Sequence, residues 1–303
     1  MTLIQLKYAV TLDKVRNFAM AAQELLIAQP TLSLQIQKLE KYLGIILFDR
    51  TKNPISTTVE GVEFLKQARV VLQEAERLEF MYSQKGDTVS GELRVGIIPT
   101  VSSSLLVKII PVMYKKYPEL NLKLYEIPTH QIIQKLEANE LDVGILATPL
   151  NNKKIKEEHL YYEPFFAYVP PSMKSLEDSL TIDQIQEHDV IVLGEEHCFR
   201  GQTLKVCRSN TLGRIEAGNF ETIKKLVDND LGITLLPEFE DVRDESRKRK
   251  IKSPTPAREI SIVTAFSFYK TKLLRSLRNE ILNIIPRSYH SRNGYMVIGV
   301  DSV

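Results

Sequence analysis

"AQPTLSLQIQKLEKYLG", Ala28 to Gly44, decides how the first part of this chain folds. Pro30 suits the first turn of a helix, where its missing N–H costs nothing, and Gly44 suits the place where a helix stops. Leu32, Ile36, Leu39 and Leu43 recur at spacings of four, three and four and share one face. The other face carries Pro30, Thr31, Leu34, Lys38 and Lys41, with Ser33 and Gln35 on its flanks. Hydroxyl, cationic and apolar groups on one exposed helix are the types that meet phosphates and base edges in a DNA major groove, where a leucine can touch a thymine methyl. A solvated surface helix of a three-helix bundle carries similar residues, and from this helix alone that plainer reading wins.

Outward from this helix, the periodicity from Leu3 to Leu43 predicts three helices with breaks near Val15 to Phe18 and Leu26 to Gln29. "IILFDRTKNPISTT" then places Lys52, Asn53 and Pro54 as a turn between two short extended runs, a small hairpin or wing. From Val59 to Gly86 a single helical pattern runs to a glycine stop. Leu65, Ala68, Leu72, Ala75 and Tyr82 follow coiled-coil spacing along it, interrupted by Glu79. At 1.5 Å per residue it spans roughly 40 Å, too long for the small head to cover, so a partner helix is expected on Leu65, Ala68, Leu72 and Ala75. Packing on the chain's own larger domain is the alternative. Beyond Ser90, runs such as "ELRVGIIPT", "DVGILAT", "DVIVLG", "GITLLPE" and "EISIVTAFSF" alternate with helical stretches, which predicts two α/β lobes with parallel strands, crossover helices and a cleft at the strands' carboxyl ends. The tail after Arg287 carries no readable pattern.

Composition bounds the function. With 303 residues, 43% apolar and 26% charged, the chain is long enough for two or three globular units and holds no run near the roughly 18 apolar residues of a membrane span. Its net charge, 40 − 38 = +2, is too small to signal nucleic-acid binding by itself. The opening "MTLIQLKYAVTLDKVRNF" has no secretory-signal pattern, so a cytoplasmic location is expected. In that reducing compartment the two cysteines, Cys198 and Cys207, read as buried thiols, a metal site or redox chemistry, not as a structural staple. If "HCFRGQTLKVC", His197 to Cys207, is helical, the cysteines lie roughly 13 to 14 Å apart along the axis, whereas a disulfide needs Cα atoms within about 7 Å. Bonding them then requires the helix to come apart.

The stretch from Phe18 to Arg50 resembles the winged helix-turn-helix signature of the LysR-type transcriptional regulators: Ala21-Ala22, Gln29-Pro30, Ser33, Gln35-Ile36, Leu39-Glu40, Gly44, Leu47-Phe48 and Arg50 stand in register. The resemblance implies an α/β chain divided into a DNA-binding winged helix at 1–58, a linker helix at 59–87 and a two-lobed regulatory domain at 88–303 of the periplasmic-binding-protein type. It implies double-stranded DNA as partner, read by Gln29, Pro30, Thr31, Ser33, Leu34, Gln35, Lys38 and Arg50, with a homodimer or homotetramer acting on RNA polymerase and no membrane. Ala28 departs from the family's usual serine and removes a helix cap.

His197-Cys198 with Arg200 and Cys207, together with "IPTV" at 98–101, "THQ" at 129–131 and "GITLLP" at 232–237, resembles the peroxide-sensing members of that family. That likeness implies oxidation of Cys198, resolution by Cys207, and peroxide held by Thr100, Thr129 and His130. His197 and Arg200 are the nearby cations expected to activate the thiol. The late-strand arginine of such sensors has no evident counterpart, Lys270 being the nearest cation, and Ser102 and Ser103 alter the pocket rim. No cofactor is expected, and metal binding by His197 and Cys198 is discounted because adjacent side chains diverge. A regulator answering a metabolite between the lobes, with incidental cysteines, is the alternative. A thiol peroxidase is less favoured, because neither a Pro-x-x-x-Thr-x-x-Cys nor a Cys-x-x-Cys pattern occurs.

Overall fold

The computed structural model describes residues 1–83, 88–175, 177–207, 214–292 and 294–300. The chain divides into two compact units, Met1–Gly86 and Asp87–Val303. Positions 84–87 of the expected linker and 301–303 of the tail lie outside the described residues.

The first unit holds α1 (Leu3–Val15), α2 (Phe18–Glu24), α3 (Gln29–Leu43), the antiparallel pair β1 (Phe48–Asp49) and β2 (Ser56–Thr57), and α4 (Val59–Ser83). Polar caps set the first two helices. The Thr2 side chain accepts from the Gln5 amide while the Gln5 side chain accepts from the Thr2 amide, and Asn17 accepts from the amides of Ala19 and Met20. α3 starts at Ala28 without a side-chain cap and closes at Gly44 with φ of 72°. Its face of Leu32, Ile36 and Leu39 is fully buried with Ala9, Leu12, Ala21, Ala22, Leu47, Phe48 and Leu65, and Leu43 packs at the edge.

Leu65 belongs to that head core, and Ala68 is buried as well. This corrects the expected coiled-coil seam: α1 and α4 pack together, and Asp13 of α1 fastens them by accepting from Arg69 of α4 at 2.5 Å and from Thr57 of β2 at 2.5 Å. Leu72 and Ala75 are half-buried, whereas Val71, Leu78 and Tyr82, spaced seven and four apart, are exposed. The exposed apolar stripe among the described residues of α4 thus begins later on the helix than the sequence spacing placed it.

The second unit opens with β3 (Gly91–Ile97), α5 (Pro99–Lys116), β4 (Leu120–Glu126), α6 (Thr129–Glu137) and β5 (Val143–Thr148), in which β3 lies parallel between β4 and β5. The fourteen-residue β6 (Ile155–Tyr168) leads into β7 (Ser179–Leu180), α7 (Ile182–Gln186), β8 (Val192–Leu193), α8 (Cys198–Val206), β9 (Glu216–Ala217), α9 (Phe220–Asp228) and β10 (Thr234–Pro237). β11 (Lys248–Ile251), β12 (Thr255–Ala265), α10 (Thr271–Ile284) and β13 (Tyr295–Val297) complete it. The parallel pairs are those expected of crossover units. β6 and β12 instead form a long antiparallel ladder, after which the later part of β6 pairs with β10 and β11. These two strands therefore tie one lobe to the other. The tail, unreadable in the sequence, returns as β13 along β12.

Truncating Leu65→Ala is expected to destabilise the head by about 2–5 kcal/mol through the cavity it leaves. Thermal unfolding at several protein concentrations checks this, since a seam residue would instead give a concentration-dependent loss.

Candidate functional site

Gln29, Pro30, Thr31, Leu34, Lys38 and Lys41 form an exposed strip on α3, with Ser33 half-buried beside them. Gln35 is turned toward α1, where its Oε1 accepts from Gln5 Nε2 at 3.2 Å. Arg50 is held by the wing's own architecture: it donates to Glu40 Oε2 at 2.7 Å and lies 5.3 Å over the Phe18 ring. Glu40 Oε1 also accepts the amides of Leu47 and Phe48, so one carboxylate anchors the root of the wing.

In the second unit three helices begin near one another. α5 starts with Pro99 and Thr100, α6 with Thr129, and α8 with Cys198. A helix N-terminus presents unpaired amides and partial positive charge, which favours a thiolate. The cation among them is Arg258 of β12, fully buried: Nη1 donates to Thr100 Oγ1 at 2.8 Å, Nη2 donates to the Thr100 carbonyl at 2.7 Å, and Nε donates to Glu163 at 2.8 Å. Its guanidinium carbon lies 5.1 Å from the ring of Phe199, the residue after Cys198.

Arg258, on the late strand β12, is a buried arginine that the sequence reading missed. Lys270 is no substitute, because it is fastened to Asp142 at 3.0 Å and to the Glu92 carbonyl. His197 and Arg200 are likewise turned to other partners: His197 Nε2 meets the Gly218 carbonyl at 2.9 Å, and Arg200 donates to Glu216 at 2.5 Å. Burial pushes the Cys198 thiol up, opposed by the charge of Arg258, the Thr129 hydroxyl and the backbone amides of Cys198 and Phe199. Thr129 Oγ1 is itself buried and makes no close hydrogen bond. His130, next on the helix, is exposed to solvent, which removes it from the group around the sulfur.

Both cysteines are unbonded, half-buried Cys198 at the start of α8 and fully buried Cys207 at its C-cap. Burial alone pushes the Cys207 thiol up to about 12. Phe199 packs edge-on against Phe165 and Phe220, with centroids at 4.8 and 5.4 Å. The tail straps the same helix: buried Gln202 Nε2 donates to the Ile298 carbonyl at 2.8 Å and Lys205 Nζ to the Gly299 carbonyl at 2.9 Å. At the rim, Ser102 donates to Glu126, while Ser103 donates to Glu240 at 3.1 Å.

Residues 3–62 match the family described as "Bacterial regulatory helix-turn-helix protein, lysR family", and residues 86–284 match the "LysR substrate binding domain". The sequence is 35% identical over 272 residues to the hydrogen peroxide-inducible genes activator of Haemophilus influenzae, covering 87% of this chain and 90% of that protein. It is 34% identical to the DNA-binding transcriptional dual regulator OxyR of Escherichia coli K12, covering 87% and 89%. Among solved structures, a full-length OxyR variant from Pseudomonas aeruginosa is similar with a TM-score of 0.78 at 30% identity, over 93% of this chain and 94% of that one. With both of its domains matched in order and relatives aligned along most of its length, the chain belongs to the LysR family of bacterial transcriptional regulators.

Proposed function

We propose that this chain is a cytoplasmic, homo-oligomeric regulator that senses hydrogen peroxide through Cys198 and Cys207 and controls oxidative-stress genes by acting on RNA polymerase. The observation that carries it is the placement of the two thiols: one at a helix N-terminus beside Thr100, Thr129 and Arg258, the other at the opposite end of the same helix. The names of the relatives point the same way.

The Cys198 thiolate attacks one peroxide oxygen, the O–O bond breaks, and hydroxide leaves to take up a proton as water. The sulfur, oxidised by two electrons, becomes a sulfenic acid. Thr100 and Thr129 supply hydroxyls to hold the peroxide and assist the departing oxygen. Cys207 then attacks the sulfenic sulfur, its thiol proton leaves with the displaced hydroxyl as a second water, and a disulfide remains. Buried at the far end of α8, Cys207 reacts only after the helix unwinds and its thiol returns toward the ordinary value. The switch thus runs once per reduction by an external dithiol, which suits a regulator and not an enzyme that consumes peroxide. In the head, the α3 strip of Gln29, Pro30, Thr31, Ser33, Leu34 and Lys38 is the DNA-reading face, with Gln35 and Arg50 holding it in position. Val71, Leu78 and Tyr82 on α4 offer an apolar stripe to a second copy.

About one equivalent of peroxide is expected to remove both alkylatable thiols and lower the intact mass by two hydrogens. Cys198→Ser should keep DNA binding and lose every peroxide-dependent change in it, and an unchanged response would sink the reading. In the reduced protein, iodoacetamide is expected to modify Cys198 well before Cys207, and faster as pH rises, because the thiolate populates only as pH climbs toward its raised pKa. Peptide mass mapping across a pH series checks the order and the sign. Lys38→Ala should weaken DNA binding at all sequences alike and reduce the salt slope of the affinity by about one.

A further inference from the structure

Arg258 and Glu163 are register partners across the β12–β6 ladder, and their side chains are 0% and 1% exposed. Glu163 Oε2 accepts from Arg258 Nε at 2.8 Å and lies 2.7 Å from Nη2, while its Oε1 accepts the Phe239 amide at 3.2 Å. The remaining guanidinium bonds described for Arg258 go to Thr100, so Glu163 and Thr100 together fix both the orientation and the charge environment of the cation. A carboxylate in contact with a guanidinium in a dry interior cancels much of its field beyond the pair. What reaches the Cys198 sulfur is the remainder.

The surroundings sharpen this. Glu238 and Glu240 follow β10, Tyr161 stands on β6 and Tyr289 comes from the C-terminal region; all four feel or adjoin the Glu163 charge. Lys224 of α9 is bound to Glu240 and Glu221. Near the sulfur, Thr129 of α6 adds a hydroxyl, Glu196 precedes α8, and His197 is bound to the Gly218 carbonyl.

We infer that Glu163 is the positioning residue of the thiol site: it holds Arg258 against Thr100 and Phe199 and sets how much of the guanidinium charge is left to stabilise a Cys198 thiolate. This rests on Cys198 being the reactive thiol of the proposed function. Removing the carboxylate's charge while keeping its shape unmasks the cation and makes the sulfur ionise more readily. Glu163 is thus a restraint on the sensor.

The test is the pH profile of Cys198 alkylation by iodoacetamide in the reduced full-length chain, with each modified cysteine assigned by peptide mass. For Glu163→Gln the Cys198 midpoint should fall by about one pH unit, with roughly tenfold faster alkylation near neutrality, while Cys207 stays protected. Glu163→Asp keeps the charge but draws it back from the guanidinium, and should give a smaller fall in the same direction. An unmoved or higher midpoint in a folded variant overturns the inference. So does a rise in alkylation of both cysteines together at every pH, which is what a merely loosened core would produce. Should the glutamine variant fail to fold, the aspartate variant decides by the same criterion. Alkylation involves no peroxide, so a lowered midpoint upholds the role of Glu163 even if peroxide leaves both thiols untouched, an outcome that would sink only the peroxide reading.

Discussion

A guanidinium with no exposed surface constrains everything around it, because a buried unpaired charge costs several kcal/mol and the protein must answer it. Arg258 is answered by Glu163 across the strand ladder and by both oxygens of Thr100 at the start of α5. Those bonds link β6, β12 and α5, so the long strands that tie the lobes together also orient the helix end facing Cys198. Breaking either member would leave the other charged and dry. The pair is therefore weak evidence for stability and strong evidence for a fixed arrangement, which a reactive thiol needs more.

The two thiols in turn experience the same interior differently. Cys198 has a cation, a hydroxyl and two helix amides working against burial, whereas Cys207 has burial alone. One helix thus separates a thiol that can be made reactive from one kept inert. Nothing in the spacing of nine conveys that difference; it arises because α6 and β12 reach the first end of α8, whereas the Cys207 thiol at the second end is governed by burial.

Much of this was legible in the sequence. The head read correctly because its signals are local: Pro30 and Gly44 bound α3, the leucine face repeats with helical period, and Asn53-Pro54 marks the wing. The linker helix was also evident, but spacing alone could not tell that α1 covers Leu65 and Ala68, since coverage is a tertiary fact. Thr100 and Thr129 were singled out by the resemblance alone, and they stand in the first turns of α5 and α6. Arg258 was missed, although part of a signal existed: Glu163 in "YYEPFF" is a lone charge in an apolar strand, which calls for a buried partner, whereas Arg258 in "AREISIV" stands beside Glu259 and so looked locally paired. What hid it was strand pairing between residues 95 positions apart. The tail strap on α8 was unreadable for a similar reason, since Ile298 and Gly299 act through their carbonyls and carry no side-chain signature.

The cost of unwinding α8 bears on reversibility. A disulfide between its ends, as proposed above, would withdraw Phe199 and Val206 from the core, each worth about 1.5–3 kcal/mol when fully buried. It must also break the Gln202 bond to Ile298, a net contribution of about 0.5–1.5 kcal/mol. All of that stabilises the dithiol form relative to the disulfide. Since about 1.4 kcal/mol corresponds to 30 mV for a two-electron couple, the packing of one short helix would raise the reduction potential of that proposed couple by on the order of 100 mV. A disulfide made at that expense is more oxidising than an unstrained structural one and correspondingly easier to reduce. In the proposed switch, the helix that keeps the cysteines apart is thereby also what would make their union reversible, its apolar anchors favouring the dithiol as much as the chemistry at Cys198 favours oxidation.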